Sequence, residues 1–376
     1  MELPRSLVSI RSDSKLSTGD PEMRNCLKSS GFFTKCTSLG ALVLSLAGYG
    51  GAIGAAPVIG ADLFFFDRAN ALITSNSRVD VFANYPLSFQ SSVPYPVRVE
   101  AIRGTDLVTG MPLDFTLKAV ALSSSQPRVN VNPYSTLIVE MARTMTNGLN
   151  AANVTAATQI VVREFNFGLL TNTVPDPMKA AITNQNIANI VRSSEAVSEV
   201  IRRTRTALAQ AGHSHSHNNV IVALAADLRD GRLDGRGAAG TNARVSAVAN
   251  VVSAQVVVEG LQNRLYVNGT LATGAMDYAI RTVMPATTAF TNSVVVPQAM
   301  LTQAKRLLSA VRQFDSRSQI GALSGIVSQI AAGSTTASVR TRLNDTHSRL
   351  LDSTVTNIAR ASSEALQAVN TAVGSG

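Results

Sequence analysis

The sequence has no tryptophan and few aromatic residues. Aromatic residues make up 5% of the 376 residues, although apolar residues as a whole make up 45%. This apolar content excludes a chain that is disordered throughout. It predicts a core of many small side chains, mostly Ala, Val, Leu and Ile, which suits closely packed helices.

Cysteine is nearly absent as well. The two cysteines, Cys26 and Cys36, both lie in the first forty residues. If that segment is removed, as argued below, the mature protein has no thiol. Disulfides, thiolate catalysis and cysteine-ligated metals are then excluded, and the core alone must stabilise the fold.

Charged residues are sparse and include no concentrated basic run. They make up 15% of the chain, with a formal net charge of +9. A nucleic-acid surface needs a dense basic stripe interleaved with aromatic residues. The densest stretch here is Arg202, Arg203 and Arg205, which we interpret as the solvated face of a helix. The sequence therefore does not favour a nucleic-acid partner, and weak attraction to an anionic cell surface is the expected effect of the charge.

The common catalytic motifs are also missing. The chain contains no Gly-x-Ser-x-Gly, no His-Glu-x-x-His, no phosphate loop and no dinucleotide fingerprint. We expect no enzyme and no cofactor. A hydrolase with paired carboxylates stays open, because its two acids can come from distant positions.

The amino-terminal segment has the features of an export signal. Three basic residues between Arg24 and Lys35 precede an apolar run at 39–47 and small residues at 48–56. A helix needs about 20 apolar residues to cross a bilayer, and this run is much shorter. We predict a leader and signal segment over 1–56, with no transmembrane span in the mature chain; the alternative is a short buried helix.

Two details of this segment leave open how it is used. The polar stretch before the basic residues is long, so that either Met1 or Met23 can be the start. Residues 44–48 resemble a bacterial lipoprotein box, but Tyr49 stands where the lipidated cysteine would be. Tyrosine has no thiol to form the thioether, which excludes lipidation there.

Residues 57–132 alternate between apolar and polar, which is typical of half-buried strands. The runs are short and are separated by turn-forming residues. We predict a small antiparallel β-sandwich over 57–132. The alternating residues are Val79 and Val81; Val97, Val99 and Ala101; Phe115, Leu117 and Ala119; and Val129 and Val131.

After Pro133 the apolar period changes to 3.6, which predicts helices. One helical stripe consists of Ile187, Val191, Val197, Val200, Ile201 and Leu208. Further helices are predicted at 220–228, 245–258, 299–311 and 320–331, and a long final helix at 339–372. The predicted fold class is therefore α+β and multidomain, with an all-α helical domain at 133–285 and C-terminal helices at 286–376 after the sandwich.

Several segments resemble a known class of exported bacterial envelope proteins. These segments are 104–110 (GTDLVTG), 114–118 (DFTLK), 129–137 (VNVNPYSTL) and 224–235 (LAADLRDGRLDG). In the similar proteins a carboxypeptidase-regulatory-like sandwich of immunoglobulin type precedes a helical domain, and an Asn-Pro-x-Ser/Thr-Thr stretch joins them. The resemblance implies that Asn132 and Pro133 end the last strand and that Ser135 caps the first helix. It implies a binding or spacing module without a zinc site, and it assigns no activity.

Three of the four histidines form a short tract, His213, His215 and His217. Imidazoles at alternate positions of an extended loop can converge on Zn, Ni or Cu. With no cysteine or partner cluster nearby, we expect a solvated loop in which any metal binding is weak and adventitious.

Asp227, Asp230 and Asp234 suggest a calcium loop, since hard cations take carboxylate oxygens. Their spacing differs from that of an EF-hand, and arginines are interleaved with them. Helix termination by Asp-Gly turns explains the motif better.

These observations predict a structural or interaction protein that is exported to the periplasm, the cell surface or the extracellular space. Its partner would be an envelope or surface polysaccharide or protein. The first alternative is a subunit of an extracellular filament or coat that self-associates through the C-terminal helix. The second is the paired-carboxylate hydrolase.

We predict that the mature protein begins between about Ile53 and Val58 and contains no cysteine, because the basic, apolar and small-residue regions end there. Intact-mass measurement of the exported protein checks this. A secreted species that retains Cys36 would show that the cleavage site is wrong.

Overall fold

A computed structural model describes residues 50–52, 57–86, 93–237, 239–288, 290–314 and 321–375. The predicted signal segment falls almost entirely outside these residues. The strands are β1 (Gly50–Ala52), β2 (Val58–Ile59), β3 (Asp62–Phe66), β4 (Leu72–Arg78), β5 (Asn84–Pro86), β6 (Val97–Ile102), β7 (Thr105–Asp106), β8 (Leu117–Ala121), β9 (Tyr266–Val267) and β10 (Thr270–Leu271). The helices are α1 (Pro133–Thr144), α2 (Ala151–Glu164), α3 (Ile187–Gln210), α4 (His217–Asp227), α5 (Ala243–Leu261), α6 (Thr273–Val283), α7 (Gln298–Phe314), α8 (Gly321–Ala331), α9 (Thr336–Arg342), α10 (Asp352–Ala359) and α11 (Ser363–Gly374).

The described strands confirm a mixed fold with antiparallel sheets. The largest sheet has four strands in the order β4-β3-β6-β8, and β1–β5, β2–β7 and β9–β10 form separate pairs. β3 lies at the centre of this sheet, although its sequence, DLFFF, shows no polar alternation that would predict a strand. Its Leu63 and Phe65 are fully buried while Phe64 and Phe66 are half-buried on the other face.

The turn between β6 and β7 requires glycine. Gly104 has a φ of +77°, and a Cβ there would lie 2.8 Å from the Cα of Ala61. A side chain is therefore excluded both by the backbone conformation and by the neighbouring chain.

The free edge of β8 is covered by side chains of α1 rather than by another strand. Ser135 Oγ donates to Lys118 O at 2.6 Å, and Lys118 N donates to Thr136 Oγ1 at 2.9 Å. Covering an edge strand in this way satisfies its backbone groups and prevents pairing with another chain.

The start of α1 corrects the predicted role of Ser135. Asn132 is the N-cap, accepting from Ser135 N at 2.8 Å, while Ser135 Oγ accepts from Asn132 N at 2.8 Å. This is a capping box, in which Ser135 occupies the third helical position and not the cap. The predicted last strand at 129–131 is also wrong, because these residues join none of the described sheets. Asn130 N donates instead to Met178 O, and Asn130 Nδ2 donates to Ala180 O.

The predicted helical stripe of 187–208 is confirmed in α3, whose apolar stripe residues are all buried. α5 is buried on every side from Val245 to Leu261. By length and composition α5 would also pass as a membrane span. However, 94% of its apolar stretch is buried inside the protein, as in a core helix. The sheet and the helices share one continuous apolar core, within a compact unit that extends from Tyr49 to Gly376.

The predicted long final helix at 339–372 is wrong. The chain forms α9, α10 and α11 instead, with breaks after Arg342 and Ala359. Asn344 N donates to His347 Nδ1 at 2.8 Å, and Ser362 Oγ accepts from Ala365 N at the start of α11. Such local side-chain bonds satisfy backbone groups and compete with a continuous helix.

Strands give way to helices between Ala121 and Pro133, where the apolar period changes. The region after Pro133 is nevertheless not all-α as predicted, because β9 and β10 form a short hairpin within it. The domain boundaries at 132/133 and 285/286 stay predictions, and so does the sandwich. Cleavage in the predicted window would remove β1 from the mature chain and leave β2.

We predict that Asn132→Ala lowers the free energy of unfolding by about 1–2 kcal/mol, because it removes a helix cap together with a buried bond to Pro177 O. Urea denaturation of the two proteins checks this. Asn184→Ala is the control, since Asn184 is half-buried and caps no helix. Equal losses in the two variants would contradict a specific capping role.

Candidate functional site

The most heavily charged interior cluster lies on α3, centred on Arg202. Its guanidinium contacts four carboxylates, and the side chain is 10% exposed. Nε donates to Asp114 Oδ2 at 2.5 Å, and Nη2 donates to Asp106 Oδ2 at 3.2 Å. Nη1 lies 3.2 Å from both Glu195 Oε2 and Glu199 Oε1. Burial alone would lower the pKa of Arg202, but these carboxylates raise it, so the guanidinium stays charged.

Arg203 extends the cluster to α5 and the β9–β10 hairpin. It makes a two-fold contact with Glu259, with both nitrogen–oxygen distances 2.9 Å, and a further one with Glu199. It also donates to Tyr266 O. Planar guanidinium groups favour this bidentate geometry.

These contacts correct the interpretation of the basic stretch as a solvated helix face. Arg205 is exposed, but Arg202 is buried and Arg203 is mostly so. The spacing of Glu195, Glu199 and Arg202, four and then three residues apart, places them on one helix face. That spacing could have identified the cluster, although the partners at Asp106 and Asp114 could not be found from it.

Glu195 is the member of the cluster with the least favourable environment. It is fully buried, and its Oε1 has no hydrogen-bond partner among the described residues. Burial, together with the neighbouring Asp106, raises its pKa to about 8, against the opposing effect of Arg202. Burial therefore disfavours the charged form of this carboxyl group, although Arg202 lies beside it.

Carboxylates thus converge, but not as a glycosidase would need them. Asp106, Glu195 and Glu199 are all buried and point at arginine. A hydrolytic pair must face a substrate and a water molecule across an open cleft. This cluster therefore joins the sheet to the helices and gives no support to the hydrolase alternative.

A second candidate is a large groove that lies between α2, α7 and the loop after α4. Its volume is about 1130 Å³, the size of a site for a small ligand or short oligomer. It is lined by Gln159, Val162, Arg163, Glu164, Asn166, Thr171, Pro175, Asp230, Gly231, Arg232, Ala299, Thr302, Gln303, Lys305, Arg306 and Ser309. Four of these side chains are cationic and two are carboxylates.

The floor of the groove is held by Glu164 at the end of α2. Its carboxylate accepts from Arg163 Nε at 3.1 Å and from Arg306 Nη1 at 2.5 Å. The side chain of Gln303 also contacts the end of α2. It donates to the backbone oxygen of Glu164 and accepts from Phe167 N, both at 3.0 Å. The buried Nε of Arg306 has no partner among the described residues. Lys305 and Arg232 are exposed on the rim.

The histidine tract follows α3, and its last member, His217, is the first residue of α4. All three side chains are partly exposed. His213 N closes α3 by donating to Leu208 O at 2.8 Å. His217 packs against Phe115, with 6.2 Å between ring centroids, and burial lowers its pKa despite the nearby Asp114. Across the part of the chain that the structure describes, no group of three or more His, Cys, Asp or Glu side chains is arranged to hold a metal ion.

Asp227, the last residue of α4, differs in environment from Asp230 and Asp234, which follow the helix. Asp227 is fully buried and accepts from Gly235 N at 2.9 Å, whereas Asp230 is exposed and accepts from Arg232 N at 3.1 Å. Asp234 accepts from Arg236 N at 3.1 Å. These bonds fold the loop back on the end of α4. Burial raises the pKa of Asp227 to about 7, and the other two carboxylates add to the shift.

Comparison with known proteins gives no family assignment. No family model matches this chain, no curated protein matches it, and no solved structure matches it.

We predict that Glu195→Gln makes stability less dependent on pH. The folded pKa, about 8, lies above the ordinary value of 4.5. Between these values the folded state binds more protons, so the contribution of Glu195 is complete below about pH 4.5 and is lost as pH rises through 8. The wild-type free energy of unfolding should fall by up to about 1.4 kcal/mol per pH unit more steeply than that of the variant.

Denaturant titrations across this range check the slope. Parallel pH profiles for the two proteins would show that Glu195 ionises in the folded state much as it does in the unfolded chain.

Proposed function

We propose that this chain is an exported binding protein of the bacterial envelope that holds a polar, anionic ligand in the groove between α2 and α7. The observation that carries the proposal is the charge balance of that groove. The groove is lined by two carboxylates and by four cationic side chains, those of Arg163, Arg232, Lys305 and Arg306. One of the carboxylates, Glu164, is buried and already paired with Arg163 and Arg306. The groove therefore has uncompensated positive charge.

The remaining lining indicates the rest of the ligand. Amide and hydroxyl side chains, among them Gln159, Thr302 and Ser309, offer hydrogen bonds to hydroxyl groups, and no aromatic ring lines the groove in the described part of the chain. Arginine pairs well with carboxylate and phosphate groups. These charged and hydrogen-bonding side chains suit an acidic polysaccharide segment.

Export, an envelope location and action by binding without catalysis all belong to this proposal. The signal-like segment supports export, and the absence of catalytic motifs supports binding. We keep the sandwich within the proposal as well, since the pair β2–β7 stays available for a second layer after cleavage.

We predict that Lys305→Glu weakens binding of an oligogalacturonate by about tenfold, because one exposed rim cation becomes an anion. Arg312→Glu is the matched control: it makes the same charge change on the exposed side of the same helix, outside the groove. Calorimetric titration at two salt concentrations measures both affinities, with a neutral glucan oligomer as the ligand control.

Binding of the acidic oligomer by wild type, falling with salt and lost selectively in Lys305→Glu, is the expected result. Equal binding of the neutral oligomer, equal losses in the two variants, or no binding by wild type would each refute the proposal.

A further inference from the structure

Three buried side-chain oxygens lack hydrogen-bond partners near the end of α4. They are Asp227 Oδ1, Asn250 Oδ1 and Asn370 Oδ1, on residues that are 0%, 1% and 2% exposed. Buried polar atoms are nearly always paired with protein, water or an ion. Three such orphans therefore need an explanation.

The three side chains meet at one short segment, Leu233 to Gly235. Asn250 Nδ2 donates to Leu233 O at 2.9 Å, and Gly235 N donates to Asp227 Oδ2 at 2.9 Å. Asn370 packs so closely on Gly235 that any Cβ at this glycine would overlap its amide. Helices α4, α5 and α11 thus each place one side chain with an orphan oxygen against the same segment.

The orientations of the Asn250 and Asn370 side-chain amides follow from the hydrogen bonds that their nitrogens donate. Asn250 Nδ2 bonds to Leu233 O, and Asn370 Nδ2 bonds to Ala243 O at 3.1 Å. With both nitrogens used, the orphan atom of each amide is its oxygen. The orphan atoms of both amides are consequently acceptors, and a second carboxyl group, that of Asp234, lies within electrostatic range of Asp227.

Buried acceptors without a protein donor are satisfied by water or by a cation. Carboxylate, amide and backbone carbonyl oxygens are the ligands that calcium takes. We propose that Asp227, Asn250 and Asn370, with Asp234 in support, form a binding site for a hard cation, for which Ca²⁺ is the probe. Half of this donor set consists of amides, so it differs from the all-carboxylate loop considered from the sequence.

A cation at this point would join three helices. The loop already contacts α11 through Arg232, which donates to Gly374 O, and Arg236, which donates to Thr371 Oγ1. A bound ion would add an electrostatic tie from α4 and α5 to α11. The proposal is independent of any ligand in the groove.

Calcium titration of the chelator-treated full chain tests the site, by calorimetry and by thermal melting with Ca²⁺ or chelator. We expect one bound Ca²⁺ and a melting temperature that rises by about 2 °C or more at a hundredfold excess over Kd. Asp227→Asn should weaken binding at least about tenfold, since it removes the central charge at nearly constant shape. Asp345→Asn is the control, because Asp345 is half exposed in a surface pair with Arg264.

A gain-of-affinity variant covers the case in which Asp227→Asn does not fold. Asn370→Asp adds a carboxylate to the proposed donor set and should tighten Ca²⁺ binding several-fold. No binding by wild type at millimolar Ca²⁺ would overturn the proposal and leave a buried water as the partner of these oxygens. Binding that is unchanged in Asp227→Asn and in Asn370→Asp would place any calcium elsewhere and would also overturn it.

Discussion

The buried guanidinium of Arg202 is the interaction on which the arrangement of sheet and helices depends. It holds Asp106 and Asp114, from the segments around β7 and β8, against Glu195 and Glu199 of α3. Each partner is costly to bury alone and tolerable only in the presence of the others. Loss of the cation would leave several carboxylates in the core, so this contact constrains how the two parts of the chain pack.

The cluster also explains why α3 can be buried along most of its length while carrying so many charges. The adjacent Arg203 pairs with Glu259 of α5 and donates to the backbone oxygen of Tyr266. Two adjacent arginines thereby connect the sheet-side turns, the central helix, the second core helix and the β9–β10 hairpin. Polar contacts of this kind select one packing geometry more strictly than small apolar side chains do.

The loop after α4 is where the two proposed binding features meet. Asp230, Gly231 and Arg232 line the groove, and the next residues, Leu233 to Gly235, lie beside the proposed cation site. The segment was notable in the sequence for its aspartates and glycines. Its proposed role depends on the packing of α5 and α11 against it, and Asn250 and Asn370 have no sequence pattern that marks them.

Local periodicity was enough to predict the change from strands to helices and the stripe of α3, while the Asn-Pro entry into α1 was implied by the resemblance to exported envelope proteins. These features depend on residues a few positions apart, so the sequence determined them by itself. The capping box shows the limit, since Ser135 was assigned to the cap that Asn132 occupies. The final long helix failed because side-chain bonds at Asn344 and Ser362 satisfied backbone groups that a helix would otherwise have paired.

Tertiary structure decided which charged residues face water and which are buried. Arg202 and Arg205 are three residues apart in the same basic stretch, yet one is buried against four carboxylates and the other is exposed. Asp106 and Asp114 are 96 and 88 residues from Arg202, a separation that no local pattern spans. The groove likewise combines residues of α2, α7 and the loop after α4. Charge can be counted in the sequence, but its burial and partners depend on long-range packing.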